Sequence, residues 1–95
     1  MAVSEIMSAL ADETRRNILT ILQEGKISSG ELAKHLNMTP QALSYHLAKL
    51  KKADLIYETR HKNFIYYEPN LSILDEIIMW ITNLREAGQC ETEKY

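Results

Sequence analysis

The chain has 95 residues, of which 45% are hydrophobic and 25% are charged, and its formal net charge at pH 7 is −2. This composition excludes a disordered protein, and the length allows one small domain with a limited core. The lone cysteine excludes an intramolecular disulfide framework and a multi-thiolate metal site within one chain. No apolar run reaches the roughly 18 residues of a membrane span, and the N-terminus lacks the basic start of a signal peptide, so we expect a cytoplasmic protein.

Positive charge is concentrated in the middle of the chain. Residues 26–62 contain seven lysines and arginines against three acidic residues, a net of +4, whereas the remaining residues carry −6. A negative total argues against nucleic-acid binding, but the distribution of the charge matters more than its sum. A basic segment between acidic flanks is expected of a DNA-facing surface carried by a dimeric scaffold.

Apolar residues recur at helical spacing in four segments of the first half of the chain. The predicted helices cover about residues 2–11, 13–24, 29–36 and 40–52. Asp12, Ser28 and Thr39 stand where they could cap the second, third and fourth helices, and Ile27 could form a brief strand. The three residues between the third and fourth helices leave room only for a tight turn, which predicts a helix-turn-helix.

The fourth helix has the features of a DNA-recognition helix. Leu43, Leu47 and Leu50 share one apolar face, and the opposite face carries no acidic residue. The same pattern also fits an ordinary surface helix with a solvated polar face. Amide, hydroxyl and lysine side chains on that face suit base edges and phosphates. We predict base contacts by Gln41, Ser44 and Tyr45 and phosphate contacts by Thr39, Lys49 and Lys52.

Three positions near these helices need separate interpretation. Arg15 and Arg16 on the second helix could contact DNA phosphates or pair with nearby acidic residues, and the sequence favours neither. His46 lies at the edge of the apolar stripe, where a hydrogen-bonded structural role is favoured over a ligand role. The dispersed histidines and the lack of a nucleophile-base-orienter arrangement predict a protein that is not an enzyme.

Two β-rich runs around residues 60–63 predict a β-hairpin, the wing, over about residues 55–68. Its four-residue tip carries Arg60 and Lys62, which we predict to follow a phosphate backbone or to enter a minor groove. The alternative is a merely solvated turn, as hairpin tips usually are.

The last predicted helix covers about residues 71–87, with Gly88 ending it and residues 89–95 forming a frayed polar tail. Its apolar stripe is wider than packing on one small core requires, which favours an isologous homodimer formed with the first helix. The rival interpretation is that Trp80 only completes the core of a monomer. The predicted interface consists of Val3, Ile6, Met7, Ile73, Ile77, Trp80, Ile81 and Leu84.

Five helices with a two-stranded wing make a mainly α, single-domain winged helix-turn-helix over residues 1–95. The amino-acid sequence resembles the ArsR family of bacterial repressors in three segments: Leu10–Leu22, Gly30–Ile56 and Phe64–Tyr67. This resemblance implies a homodimeric, sequence-specific repressor that binds a palindromic DNA operator. We expect no cofactor and no small-molecule substrate for this chain.

The best-known members of the family sense metals, but this chain departs from their ligand pattern. Ser28 and Gly30 align where the thiolate-sensing members place cysteines, and the last helix has Asp75 and Glu76 but no histidine. Carboxylates alone do not hold a borderline-soft ion selectively, so we expect no metal site. Asp54 stands where the family usually has a glycine before the wing, which aspartate tolerates in a left-handed backbone.

The signal that would relieve repression is not defined by the sequence. Within the family, the compact chain and Trp80 look closest to autorepressors of toxin-immunity operons, which implies autoregulation and sequestration by a membrane protein. A redox-responsive repressor that uses Cys90 and a constitutive repressor are alternatives. A winged-helix module for protein–protein interaction is a further alternative, because the last helix is so apolar.

Overall fold

The computed structural model describes the backbone of residues 2–93 and the side chains of residues 2–86. Within residues 2–93 the chain forms five α-helices and three β-strands, which agrees with the predicted mainly α winged helix-turn-helix. The elements in chain order are α1 (Val3–Leu10), α2 (Glu13–Leu22), β1 (Ile27–Ser28), α3 (Ser29–Leu36), α4 (Pro40–Lys52), β2 (Ile56–His61), β3 (Phe64–Pro69) and α5 (Leu71–Glu93). None of the described helices is both long enough and apolar enough to cross a membrane.

Side-chain caps set the starts of three helices, as the sequence predicts. The side chains of Asp12, Ser28 and Thr39 each accept a hydrogen bond from the backbone N–H three residues further on, at 3.1 to 3.2 Å. Each bond satisfies one of the N–H groups that the first turn of a helix leaves without a partner, which stabilises the helix by about 0.5–2 kcal/mol. The starting residues of α2, α3 and α4 are therefore set by side chains in their own first turns.

The end of α4 depends on a left-handed aspartate. Asp54 has a φ of 59°, its N–H donates to the carbonyl of Lys51 at 2.9 Å, and the N–H of Leu55 donates to the carbonyl of Leu50 at 3.0 Å. These two bonds form the Schellman arrangement that closes a helix when the next residue adopts positive φ. The prediction that Asp54 tolerates this conformation is confirmed.

The brief strand expected at Ile27 is confirmed as β1, and it joins the wing, which therefore has three strands instead of the predicted two. The antiparallel sheet has the order β1-β3-β2, because Ile27 pairs with Tyr67 while β2 and β3 pair along their whole length. The predicted four-residue tip is also too long. Arg60 lies in β2 opposite Ile65, and Lys62 adopts a φ of 58°, which lets residues 62–63 close the hairpin alone.

The core lies where α1, α2, α3 and α4 meet the base of the wing. Its most completely buried large side chains are Ile6, Ile18, Leu22, Leu32, Leu50 and Leu55. The predicted apolar face of α4 is confirmed, since Leu43, Leu47 and Leu50 are at most 4% exposed. Each such side chain contributes about 1.5–3 kcal/mol through removal from water, so α4 is held firmly against the domain.

Two predictions about α5 and the interface need correction. The helix continues through Gly88 to Glu93 instead of ending at Ala87, because a glycine costs a helix only about 1 kcal/mol and no proline follows it. Residues 94–95 of the predicted tail and the side chain of Cys90 lie outside the described residues. Ile6 and Ile77, predicted as interface residues, are 0% and 7% exposed within the single chain and belong to its core.

Candidate nucleic-acid interface

The outer face of α4 presents the predicted recognition side chains to solvent. Thr39, Gln41, Ser44, Tyr45, Lys49 and Lys52 are all exposed. Tyr45 is 59% exposed, and the Lys49 ammonium lies 5.8 Å from the centre of its ring, so the two side chains support each other on the surface. The Thr39 hydroxyl accepts the capping bond from Ala42 and keeps its own proton for a phosphate oxygen.

The two neighbouring lysines at the end of α4 have different surroundings. The Lys51 ammonium donates to Glu58 Oε1 at 3.0 Å, a direct charge-assisted hydrogen bond. The Lys52 ammonium lies 3.8 Å from Glu5 Oε1, and its side chain is 72% exposed. An exposed ion pair of that length contributes little, so Lys52 can exchange it for a phosphate far more easily than Lys51 can leave Glu58.

Glu58 joins the recognition helix to the wing, a role that the sequence did not reveal. Besides the bond from Lys51, Glu58 Oε1 accepts a hydrogen bond from the Tyr67 hydroxyl at 3.2 Å. The Lys51 bond lowers the pKa of Glu58, while burial, followed by the Glu58 charge, raises the pKa of Tyr67 to about 12. At neutral pH the carboxylate is therefore ionised and the phenol keeps the proton that it donates.

The basic residues of the wing stand away from the core. Arg60 in β2 and Lys62 in the turn are both exposed, as predicted. The positive φ of Lys62 makes the turn sharp, so the lysine lies at the extreme tip of the hairpin. This geometry suits contact with a DNA backbone beside the groove occupied by a recognition helix.

The Arg15 side chain makes neither of the two contacts that the sequence left open, a phosphate contact or a pair with an acidic residue, and bonds instead to the chain's own backbone. Its side chain is buried, with Nε donating to the Ala9 carbonyl at 2.8 Å and Nη2 to the Ser8 carbonyl at 3.1 Å. Arg16 Nη1 donates to the Leu10 carbonyl at 2.8 Å. Both guanidinium groups thus satisfy carbonyls at the end of α1, where the helix dipole also favours positive charge. These are structural contacts within the chain.

His46 belongs to the same structural cluster, as the sequence favoured. Its Nδ1 lies 3.2 Å from Arg15 Nη1. Because a guanidinium can only donate, this ring nitrogen accepts the bond and carries no proton in that arrangement. The Asp12 carboxylate is 3.8 Å from the same nitrogen, and the Arg15 backbone N–H lowers the pKa of that carboxyl. The cluster ties α4 to the junction of α1 and α2.

The remaining predicted interface residues lie on α1 and α5. Val3, Ile73 and Trp80 are half-buried. Met7, Ile81 and Leu84 are more exposed, at 39%, 50% and 54%.

Among the described side chains, no three histidine, cysteine, aspartate or glutamate residues are grouped as a metal site would require.

The α3–α4 pair, the exposed basic face of α4 and the hairpin beside it define a winged helix-turn-helix DNA-binding protein. Residues 12–58 match the model of the bacterial regulatory proteins of the arsR family. The transcriptional repressor SdpR of Bacillus subtilis (strain 168) is 36% identical over 86 residues, which cover 90% of this chain and 96% of that protein. The chain belongs to the ArsR family of transcriptional regulators, as its sequence indicated.

Two further relatives agree with this assignment. The arsenical resistance operon repressor of Staphylococcus aureus is 29% identical over 87 residues, which cover 92% of this chain and 84% of that protein. The solved structure of an ArsR-like transcriptional regulator from Rhodococcus sp. RHA1 superposes with a TM-score of 0.86 at 26% identity, covering 92% of this chain and 80% of that one. The fold is thus shared along almost the whole chain.

Proposed function

We propose that this protein is a homodimeric repressor that binds a palindromic operator and controls its own transcription without sensing a metal. The observation that carries the proposal is the exposed face of α4, where Gln41, Ser44 and Tyr45 stand beside Lys49 and Lys52. A helix of 13 residues is about 20 Å long and fits a major groove. Such a protein would act in the cytoplasm, where it meets chromosomal DNA.

The wing extends this surface toward the DNA backbone. Arg60 and Lys62 are exposed at and beside the tip of the hairpin, and the Glu58 network holds that hairpin against the end of α4. We assign both residues to phosphates or to the adjacent minor groove. Base readout would then come from α4, and the wing would fix its register.

The apolar stripe of α5 supports the homodimer. Ile73 and Ile77 pack on the core, and the same stripe runs on into Ile81 and Leu84, which are half exposed. Exposed apolar groups in one continuous stripe gain free energy when a second copy covers them. With Met7, Val3 and Trp80 at its edge, this stripe would pair with itself about a two-fold axis.

A dimer of this kind would place two recognition helices in successive major grooves about 34 Å apart. The operator is then an imperfect palindrome, because each half-site meets an identical surface. Autoregulation, and release by a membrane protein that sequesters the dimer, are proposed from the similarity to a named repressor of comparable length.

Two features of the chain support metal independence. The hydroxyl of Ser28, at a position where thiolate sensors of the family carry cysteine, accepts the capping bond from Glu31 at 3.2 Å. The helix α5 contains Asp75 and Glu76 but no histidine. Neither the Ser28 hydroxyl nor the carboxylates of Asp75 and Glu76 are the imidazole or thiolate ligands that zinc-like ions prefer.

Fluorescence anisotropy of the purified protein tests the proposal. The duplexes are the DNA upstream of its own gene and a scrambled duplex, each measured with and without a chelator at several salt concentrations. We expect tight binding to the upstream fragment alone, unchanged by chelator and falling steeply with salt. Equal weak binding to both duplexes would contradict autoregulation and favour a distant operator or a protein partner, and loss of binding in chelator would contradict metal independence.

Replacement of Gln41 by alanine should relax sequence preference. The side-chain amide can bond bidentately to one base, so we expect the cognate site to lose about 1–3 kcal/mol relative to a scrambled duplex. Anisotropy titrations on both duplexes measure the ratio. The matched control is Gln23→Ala, which removes another exposed glutamine at the end of α2. An equal loss on both duplexes would remove Gln41 from base recognition.

Replacement of Lys52 by alanine should weaken binding to every duplex alike. Loss of one phosphate contact should lower the slope of log affinity against log salt concentration by about one. Lys34→Ala is the control, because it removes the same charge from an exposed lysine of α3 that is not among the predicted DNA contacts and leaves the bond between Lys51 and Glu58 in place. If both variants changed the slope equally, the assignment of Lys52 as the phosphate contact would be wrong.

A further inference from the structure

Asn70, between the wing and α5, is a buried polar residue outside the recognition surface. It is 6% exposed. Among the described side chains, Asn70 and Arg15 are the buried residues that are polar or charged. A buried carboxamide costs free energy unless its donors and acceptor are bonded, so its partners indicate why it is there.

The carboxamide of Asn70 divides its bonds between two elements. Oδ1 accepts from the backbone N–H groups of Ser72 at 3.1 Å and Ile73 at 3.4 Å, which makes Asn70 the cap of α5. Nδ2 donates to the carbonyl of Asp54 at 2.9 Å. The opposite orientation of the amide would set donor against donor and acceptor against acceptor, so the assignment follows from the partners.

The backbone of Asn70 makes a second bond to the same segment. Its N–H donates to the Leu55 carbonyl at 2.9 Å, next to the Asp54 carbonyl that receives Nδ2. Asp54 is the left-handed residue that closes α4. Asn70 therefore bonds at once to the residues that end the recognition helix and to the first turn of the proposed dimer helix.

We propose that Asn70 is a positioning residue that sets the orientation of α4 relative to α5 and thereby the half-site spacing that the dimer accepts. The inference rests on the proposed function, because it requires a dimer built through α5. In such a dimer the distance between the two recognition helices depends on how each α4 is held on its own α5. A bond from a buried side chain has one geometry, and a solvated link would allow several.

The substitution Asn70→Asp separates the two tasks of the side chain. Aspartate caps a helix as well as asparagine does, but at neutral pH it has no N–H to donate to the Asp54 carbonyl. Asn70→Ser likewise keeps a capping oxygen and lacks the reach to Asp54. Ser72→Gly is the control, since it weakens the first turn of α5 and leaves the Asn70 bonds in place.

The probes are a duplex selected by the wild-type protein from a random-sequence pool and the same duplex with one base pair inserted at its centre. For wild type and Ser72→Gly we expect a preference of at least about ten-fold for the selected spacing. For Asn70→Asp and Asn70→Ser we expect that preference to fall to about two-fold, while sedimentation still gives a dimer. A role in folding alone would not move this ratio.

The outcomes separate the inference from the proposed function. A wild-type protein that enriches no duplex would refute the proposed function and the inference with it. If the wild type binds and both Asn70 variants keep its spacing preference, only the inference is overturned. Loss of dimer and DNA binding together in both variants would also overturn it, because Asn70 would then serve only the stability of α5.

Discussion

The substitution Ile81→Glu should convert the proposed dimer into a monomer and lower operator affinity by about 10²–10⁴-fold, the usual advantage of two linked binding sites. Ile81 is 50% exposed in the single chain, so glutamate at this position leaves the fold intact. In the dimer, however, the charge would be buried in an apolar contact without a partner. Sedimentation equilibrium and anisotropy on the same samples measure both effects.

The matched control for Ile81→Glu is Thr82→Glu, which adds the same charge to the same helix. Thr82 is exposed and lies about 180° around the helix from Ile73 and about 160° from Leu84, on the face away from the apolar stripe. We expect this variant to remain a dimer and to bind the operator normally. If Ile81→Glu stayed dimeric, or became monomeric with unchanged DNA affinity, the proposed dimer through α5 would be refuted.

The substitution Arg15→Ala should destabilise the fold by roughly 2–4 kcal/mol, because it removes charge-assisted hydrogen bonds at a buried position. Arg15 is 8% exposed, and its bonds to the Ser8 and Ala9 carbonyls and to His46 join α1, α2 and α4. For a domain of this size the midpoint of thermal unfolding should fall by about 10 °C or more. Thermal and denaturant unfolding at one fixed protein concentration measure the loss.

The neighbouring substitution Arg16→Ala is the control for Arg15→Ala. Arg16 is exposed and donates to one carbonyl, that of Leu10, so we expect a loss of about 1 kcal/mol or less. Equal stability of the two variants, together with a loss of DNA affinity in Arg15→Ala alone, would reassign Arg15 to a phosphate contact. The pair thus tests whether burial or charge decides the role of each arginine.

Local chemistry explains why most of the fold could be predicted from the sequence. Asp12, Ser28 and Thr39 cap helices through atoms within three residues of themselves, and the three leucines of α4 mark its buried face by spacing alone. The exposure of the α4 side chains follows from the same periodicity. These features need no knowledge of what packs against them.

Other features depend on groups that are distant in sequence. The strand β1 exists because Ile27 meets Tyr67, and Glu58 joins α4 to the wing through Lys51 and Tyr67. The predicted interface residue Ile6 proved to be core, since hydrophobic spacing does not tell whether a stripe meets its own chain or a second copy.

The sequence by itself determined the helix-turn-helix, the wing, the basic recognition face and the family, because caps, periodicity and turn residues act over a few neighbouring positions. Only the tertiary structure decided that Arg15 is structural, that Ile77 is core while Ile81 is exposed, and that Asn70 bonds to the segment closing α4. Each of these features depends on contacts between residues that are far apart in the sequence. Such contacts are decided only when the whole chain packs.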